Sequence, residues 1–329
     1  MLGCVDPAEA ILSLRICDPA MGSGHFLVSL VDTLADNVLA AMAEAAALGA
    51  RLHYASPLAR RIEEIRDTIL RNAYTAKWNI DEEQLDDRHI VRRMVLKRCV
   101  FGVDKNPMAV ELAKVALWLH TFTVGAPLSF IDHHLHTGDS LFGLWVGDAI
   151  DKARALGGGL FYHEALAKAQ RQAMAMKTIE MLTDVEIAEA YRSAAMWDEV
   201  ELMTGELDGF VNFIHALDWL DLKPKDRALA GLWLDGRFGE PIPISRGRKA
   251  PEAGKAKPEE VEAFTMIWAR ARALIAEERF LNWQVAFPGV WDNWAHKVRE
   301  GGFDAVVGNP PWDRIKLQPT FIAASSSAR

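Results

Sequence analysis

A four-residue motif near the end of the chain has the composition needed to activate a weakly nucleophilic amine. It consists of Asn309, Pro310, Pro311 and Trp312. An amine on a heteroaromatic ring is a poor nucleophile because its lone pair is delocalised, and accepting both N–H hydrogens localises that pair. The Asn309 side-chain oxygen and the Pro310 carbonyl can do this, while the prolines restrict the backbone and Trp312 stacks on the base. Taken alone, the motif is also compatible with a turn after a buried strand.

A second motif lies between a predicted strand and a predicted helix. Residues 18–24 read Asp-Pro-Ala-Met-Gly-Ser-Gly. Gly22 and Gly24 permit a tight turn and close approach of a ligand to the backbone. The third glycine of a dinucleotide-binding fingerprint is replaced by Leu27, and the chain has no phosphate-binding P-loop sequence. An ordinary strand–helix turn is the alternative.

Acidic residues at two further strand ends extend this second motif. Asp104 is suited to accept hydrogen bonds from two ribose hydroxyls, and Asp139 is placed to meet an adenine amino group. Together with the glycine turn they predict a nucleoside ligand without phosphates, of which S-adenosylmethionine is the obvious one. The predicted cofactor-binding residues are Asp18, Pro19, Ala20, Gly22, Gly24, Phe26, Asp104, Lys105, Asp139 and Ser140. Capping of turns is the alternative role of the acids.

The elements that must position these motifs form strand–turn–helix units. Strands are predicted at residues 12–18, 99–104 and 303–308, the last of them buried, and a short extended piece precedes Gly138. Helices are predicted at about 25–47, 57–98, 106–119 and 258–278. Such units predict a parallel α/β sheet, in which ligands bind beyond the carboxyl ends of the strands. Each motif follows a predicted strand.

The middle of the chain differs in composition and residue spacing from the segments predicted to form the sheet. Residues 150–230 have helical spacing, and 241–260 are predicted as a flexible loop. The basic residues Arg246, Arg248, Lys249, Lys255 and Lys257 either touch phosphates or are solvated, and solvation is favoured. A histidine cluster, His133, His134 and His136, is predicted to lie in a solvated loop rather than to bind metal. The predicted division is a cofactor-binding part over 1–150, a helical insertion over 151–280, a catalytic part over 281–316 and a disordered tail over 317–329.

Composition limits the classes of function. The 329 residues are half hydrophobic and a quarter charged, as in soluble globular proteins, and no uninterrupted apolar run is long enough to span a membrane. The start of the chain lacks the basic region of a signal peptide, so the cytoplasm is the expected compartment. Three scattered cysteines predict neither a disulfide framework nor a zinc site. A net charge of -8 argues against strong DNA binding by this chain alone.

The motifs at 18–24 and 309–312 together resemble the gamma-ordered adenine-specific DNA methyltransferases. These include type IIG-like fused restriction–modification enzymes and related phage-defence methyltransferases. Residues 103–107, 138–143 and 282–288 agree with this family, and the resemblance covers roughly 10–316. It implies an incomplete Rossmann-like sheet with a large helical insertion. It also implies methyl transfer from S-adenosylmethionine to N6 of adenine in double-stranded DNA.

The sequence also departs from this family. The upstream helical region and the segment that helps hold the methionine end of the cofactor are not recognisable, and no target-recognition domain follows the catalytic motif. We therefore expect a chain truncated at both ends, or one part of a split enzyme whose partner carries the remaining strands. The alternative functions are a non-catalytic fragment or subunit, and an amino-methyltransferase that acts on RNA or on protein glutamine.

Overall fold

The computed structural model describes residues 6–49, 56–77, 85–123, 125–157, 162–173, 175–296 and 298–309. In chain order, its first half contains α1 (Pro7–Leu12), β1 (Ile16–Asp18), α2 (His25–Gly49), α3 (Pro57–Thr75), α4 (Asp87–Arg98), β2 (Val100–Asp104), α5 (Pro107–His120), β3 (Leu135–Thr137) and α6 (Val146–Ala155). The second half contains α7 (Tyr162–Ala173), α8 (Ala175–Met181), α9 (Ile187–Trp219), α10 (Pro224–Leu234), α11 (Pro241–Ser245), α12 (Pro258–Glu278), α13 (Trp283–Ala286), β4 (Trp291–Asp292), β5 (Glu300–Gly301) and β6 (Ala305–Val306).

The predicted parallel α/β sheet is confirmed. Four strands lie in the order β3-β2-β1-β6, and every neighbouring pair is parallel. Ile16 of β1 pairs with Val100 of β2 on one side and with Ala305 of β6 on the other. Strands β4 and β5 form a separate antiparallel pair. Because parallel strands end at one edge, the segments after β1, β2, β3 and β6 emerge together.

Alternation along the strands separates the two faces of the sheet. Ile16 and Val100 belong to a core formed with α1, α2, α4 and α5, whereas Cys17 and Phe101 point to the opposite face. There they pack with Leu281, Phe287 and Val290, from the segment that follows α12. Side chains that alternate between two buried faces are expected for strands of a parallel sheet covered on both sides.

Helix α2 lies against the first face of the sheet. Its stretch His25–Ala47 is long and apolar enough to cross a membrane by length and composition alone. Leu27, Val31 and Val38 of this helix are fully buried in the core that includes α4 and α5. Part of this apolar helix therefore packs inside the protein.

The helices from α6 to α12 have a core of their own. Phe210 and Phe213 of α9, Trp233 of α10 and Phe264 of α12 are nearly or fully buried, and their rings contact one another in edge, tilted and stacked arrangements. Helix α9 contacts α6, α7, α8, α11, α12 and α13. It is therefore the central helix of the region that was predicted as a helical insertion.

A buried polar network joins this helical region to the sheet. Lys97 of α4 donates to Asp184 Oδ2 at 2.6 Å and to Ser193 Oγ at 3.2 Å, and Ser193 donates to Asp184 Oδ1 at 2.7 Å. Arg93 donates to the Asp184 carbonyl, and the backbone N–H of Phe130 donates to Asp184 Oδ2. Asp184 is fully buried, so its charge is compensated by these donors rather than by water.

Two predicted strands differ from the structure. The strand predicted at 12–18 begins only at Ile16, because Asp6 caps α1 and Pro7 occupies its first turn, which keeps Leu12 helical. The strand at 303–308 is parallel as predicted, but the prediction that it is buried is wrong. Its two residues are exposed, with Val306 at 68%, because β6 lies at the edge of the described sheet.

Two segments that were predicted as loops also differ. The loop predicted over 241–260 contains α11, which packs against α9, and it ends inside the first turn of α12. The histidine cluster is not solvated: His133 and His134 are 1% exposed, and their rings lie among Phe101, Phe130 and Trp197.

Candidate functional site

The glycine motif forms a turn above the carboxyl ends of β1 and β2. The backbone N–H of Met21 donates to the Val103 carbonyl at 2.9 Å, which ties the turn to β2. Gly22 and Gly24 have φ angles of 55° and 83°, in the region that favours glycine. A Cβ on Gly24 would lie 3.1 Å from the Cβ of Ala113, so this glycine also allows α5 to approach closely.

Asp18 fixes the start of this turn from inside the protein. Its side chain is 1% exposed, and its Oδ1 accepts a hydrogen bond from the Ala20 N–H at 3.0 Å. Burial raises the pKa of Asp18. The Ala20 hydrogen bond opposes that effect, and the charge of Asp104 adds to it. Pro19 and Ala20 lie at the surface of the same turn.

Asp104, at the end of β2, connects the glycine turn to the start of α5. Its Oδ2 accepts from the Gly22 N–H at 2.9 Å, and its Oδ1 accepts from the Asn106 N–H at 2.8 Å. Asn106 in turn caps α5. Asp104 thus has the capping role that was the alternative for it. Each carboxylate oxygen uses one of its two lone pairs in these bonds, so acceptor capacity remains for a ligand.

Asp139, after β3, lies next to Lys105. Its Oδ1 accepts from the Leu141 N–H at 3.0 Å, and its Oδ2 lies 3.1 Å from the Lys105 ammonium. Lys105 also pairs with Glu278 at 3.3 Å. The structure therefore brings the acids at the ends of β2 and β3 to one edge, with a cation between Asp139 and Glu278. Phe26, at the start of α2, is 46% exposed.

The predicted catalytic motif begins directly beside Asp18. The Val307 N–H donates to the Cys17 carbonyl at 2.9 Å, which extends the pairing of β6 with β1. A Cβ built on Gly308 would lie 3.5 Å from Asp18 Oδ1, and Asn309 follows as an exposed residue. Pro310, Pro311 and Trp312 lie outside the described residues. Gly22 and Asn309 thus follow neighbouring strands. This arrangement is required if the two motifs are to share one pocket.

The loop that carries Asp139 and Ser140 is held by the segment after α12. The Asp139 N–H donates to the Arg279 carbonyl at 2.7 Å, and the Leu281 N–H donates to the Phe142 carbonyl at 2.8 Å. The Trp283 indole N–H donates to the Ser140 carbonyl at 3.2 Å. The segment after α12 therefore fixes the backbone of the loop that carries Asp139 and Ser140. This loop lies across the predicted site from the glycine turn.

Two buried amide side chains in this segment, those of Asn282 and Gln284, have a structural role that was not predicted from the sequence. Asn282 accepts the Leu144 N–H at 2.9 Å and donates to Asp208 and Asn212 of α9, at 2.8 and 2.7 Å. Gln284 accepts the Val146 N–H at 2.9 Å. Both side chains are 2% exposed. Polar residues inside an otherwise apolar segment were the signal available in the sequence, but their partners lie far away along the chain.

The described residues form an α/β protein in which a glycine turn, two strand-end acids and an Asn meet at one edge of a four-stranded parallel sheet. The family model described as Eco57I restriction-modification methylase matches residues 98–326. The chain belongs to this family, which makes it a restriction–modification methylase and implies a methyltransferase that acts on DNA. No curated protein and no solved structure matches the chain.

Proposed function

We propose that the chain carries the S-adenosylmethionine-binding and catalytic core of a gamma-class DNA methyltransferase that methylates N6 of adenine. The observation that supports this most directly is the adjacency of β1 and β6. Asp18 and Gly308, which lead into the two motifs, lie against each other at the carboxyl edge. A methyl donor on the glycine turn and an amine held by Asn309 would therefore meet in one place.

The residues around the glycine turn fit S-adenosylmethionine. A Cβ on Gly22 would meet nothing within 4 Å, so there is open space beside the turn. Asp104 retains acceptor capacity for ribose hydroxyls, and the exposed ring of Phe26 offers an apolar surface near the turn. When bound, S-adenosylmethionine would supply an electrophilic methyl group.

In this proposal Asn309 and Pro310 act on the amine rather than on the methyl donor. The side-chain oxygen of Asn309 accepts one N–H hydrogen of N6, and the carbonyl of Pro310 accepts the other. These acceptors stabilise the positive charge that develops on nitrogen. Electrostatic catalysis of this kind gains most when the acceptors are in place before the reaction, which is the role that the sequence predicts for the two prolines. After transfer the proton passes from N6 to water, so no general base is needed beforehand. Trp312 stacks on the adenine ring.

Membership in a restriction–modification methylase family makes double-stranded DNA the proposed substrate. The target adenine must leave the helix to reach Asn309. The net charge of -8 disfavours tight binding to the phosphate backbone. We therefore propose that a recognition region or a partner chain supplies the DNA contacts. We also propose that the reaction takes place in the cytoplasm.

Calorimetric titration with S-adenosylmethionine tests the cofactor site. We expect measurable binding to the wild type and at least a tenfold loss of affinity in Asp104→Ala, because this change removes the predicted ribose acceptor. Asp67→Ala, an exposed acid on α3, is the matched control and should bind as the wild type does. A folded chain that shows no binding would contradict the proposal.

Methyl transfer to bulk DNA tests the catalytic motif. Asn309→Ala should lower the rate by about a hundredfold or more, as loss of one preorganised polar group does, while affinity for S-adenosylmethionine stays within twofold. Asn37→Ala, an exposed position on α2, is the control. An unchanged rate in Asn309→Ala, in a preparation that methylates adenine, would rule out the proposed role of this residue.

A further inference from the structure

A cavity of about 760 Å³ lies on the side of the sheet where the helical region packs. It is bounded by α9, by the segment from α11 to α12, and by Thr137 and Leu281. None of the residues predicted to bind the methyl donor lines it. Its volume falls within the range of small-molecule sites, about 300–1,000 Å³. The proposed methyl transfer gives this cavity no role.

Three guanidinium groups line one part of the cavity: Arg246, Arg248 and Arg272. None of the three forms an ion pair within the part of the chain that the structure describes. The Nη1 atom of Arg246 is buried and has no acceptor among the described residues. Burial and the charge of Arg248 lower the pKa of Arg246, and nearby carboxylates oppose that effect.

The local backbone is shaped to hold two of these side chains in position. Arg246 lies across Gly205 and Gly209, one turn apart on α9, and a Cβ on Gly205 would lie only 2.9 Å from its Nη2. Arg272 donates from Nη1 to the Ser245 carbonyl at 3.2 Å. Gly247 has a φ of 73°, and a Cβ there would lie 2.8 Å from Arg272 Nε. Side chains larger than glycine would displace both arginines.

Carboxylates lie near these arginines without forming ion pairs with them among the described residues, and the charges of Glu206, Asp208 and Glu201 act on Arg246. The two oxygens of Asp208 accept hydrogen bonds from Asn282 and Asn212, each at 2.8 Å. The carboxylates of Asp198 and Glu201, two other lining residues, belong to exposed residues of α9. Exposed acids at this opening repel a long polyanion such as duplex DNA, whereas a small phosphorylated ligand can pass between them.

We infer that this cavity binds a small phosphorylated ligand of nucleotide size, with its phosphate on Arg246, Arg248 and Arg272. Guanidinium groups match phosphate oxygens with paired hydrogen bonds, which makes arginine the preferred residue for such sites. This ligand is distinct from the proposed methyl donor, which carries no phosphate.

Calorimetric titration at low ionic strength, with ADP, inorganic pyrophosphate and a short DNA duplex in separate runs, tests the inference. We expect ADP or pyrophosphate to bind the wild type and to lose at least tenfold in affinity in Arg246→Met and Arg272→Met. Arg270→Met is the matched control, because Arg270 is exposed on the same helix and does not line the cavity. Should a variant fail to fold, Arg248→Met at an exposed position replaces it.

Three results would overturn the inference. They are no binding of either phosphate ligand to a folded wild type, equal binding by the cavity variants, and binding of the duplex alone. Affinity for S-adenosylmethionine should be the same in Arg246→Met and in the wild type. Failure of the phosphate site and failure of the proposed methyl-donor site are therefore separable.

Discussion

Gly143 lies so close to the segment after α12 that the position tolerates no side chain. A Cβ built there would collide with the carbonyl oxygen of Leu281, a backbone atom that a change of side-chain rotamer cannot move. The same contact includes the hydrogen bond from the Leu281 N–H to the Phe142 carbonyl. The placement of Asp139 and Ser140, on the preceding turn, therefore depends on one glycine.

Gly143→Ala is expected to destabilise the protein by about 3 kcal/mol, at the upper end of overpacking costs, and to weaken binding of S-adenosylmethionine. Gly157→Ala is the comparison, since Gly157 has a positive φ but open space around it, and this variant measures backbone strain of about 1–2 kcal/mol. Urea unfolding gives both free energies. Equal losses in the two variants would show that the contact with Leu281 is not tight in solution.

The sequence makes the residue types of the candidate site predictable, but not all of their contacts. Glycines after a strand and acids at strand ends follow from local pattern, and the structure brings Gly22, Asp104 and Asp139 to one edge. The pairing of Asp139 with Lys105, and the bond from Asp104 to Gly22, depend on how separate segments approach. No spacing along the chain encodes that approach.

At the scale of elements, the predictable features are those with a local cause. Helix α5 begins where Asn106 and Pro107 predicted it, because a capping amide and a proline suffice to start a helix. The same signal at Asp6 and Pro7 starts α1, yet the apolar residues beyond it were assigned to a strand. The exposure of β6 depends on its place in the sheet, which its own apolar sequence cannot reveal.

The contact of α4 with the loop before α9 had no signal in the sequence, because Lys97 and Asp184 are 87 residues apart. Burial lowers the pKa of Lys97, and the charge of Asp184 opposes that effect. Asp184 has a φ of 51°, a conformation that Asp and Asn tolerate better than most residues. This pair fixes how the helical region meets the sheet.

Lys97→Met is expected to destabilise the protein by about 3–5 kcal/mol, because it leaves the Asp184 carboxylate buried without its cation. Lys225→Met, at an exposed position on α10, should change stability by less than about 0.5 kcal/mol. Adding Asp184→Asn to Lys97→Met should recover part of the loss, since the uncompensated charge is then removed. Urea unfolding of the wild type, of the single variants Lys97→Met and Asp184→Asn, and of the double variant measures this coupling, and additive losses would contradict it.

For the molecule as a whole, the histidine cluster lies where the sheet meets the helical region. His136 packs its ring against Phe287 at 4.8 Å and Trp197 at 5.8 Å, and His134 packs against Phe101 at 4.0 Å. Burial lowers the pKa of His134 to about 3 and that of His136 to about 4, from an ordinary value of 6.5. Both rings are therefore neutral in the folded protein at pH values where the unfolded chain is protonated.

This difference makes the folded protein sensitive to acid. Between pH 6.5 and about 4 the unfolded state binds more protons than the folded state, so stability is lost as pH falls through this range. Each histidine contributes a slope of about 1.4 kcal/mol per pH unit. His136→Gln should lower the slope by about that amount, whereas His163→Gln, at an exposed position, should not. Urea unfolding at several pH values tests this, and an unchanged slope in His136→Gln would mean that this histidine is protonated in the folded protein.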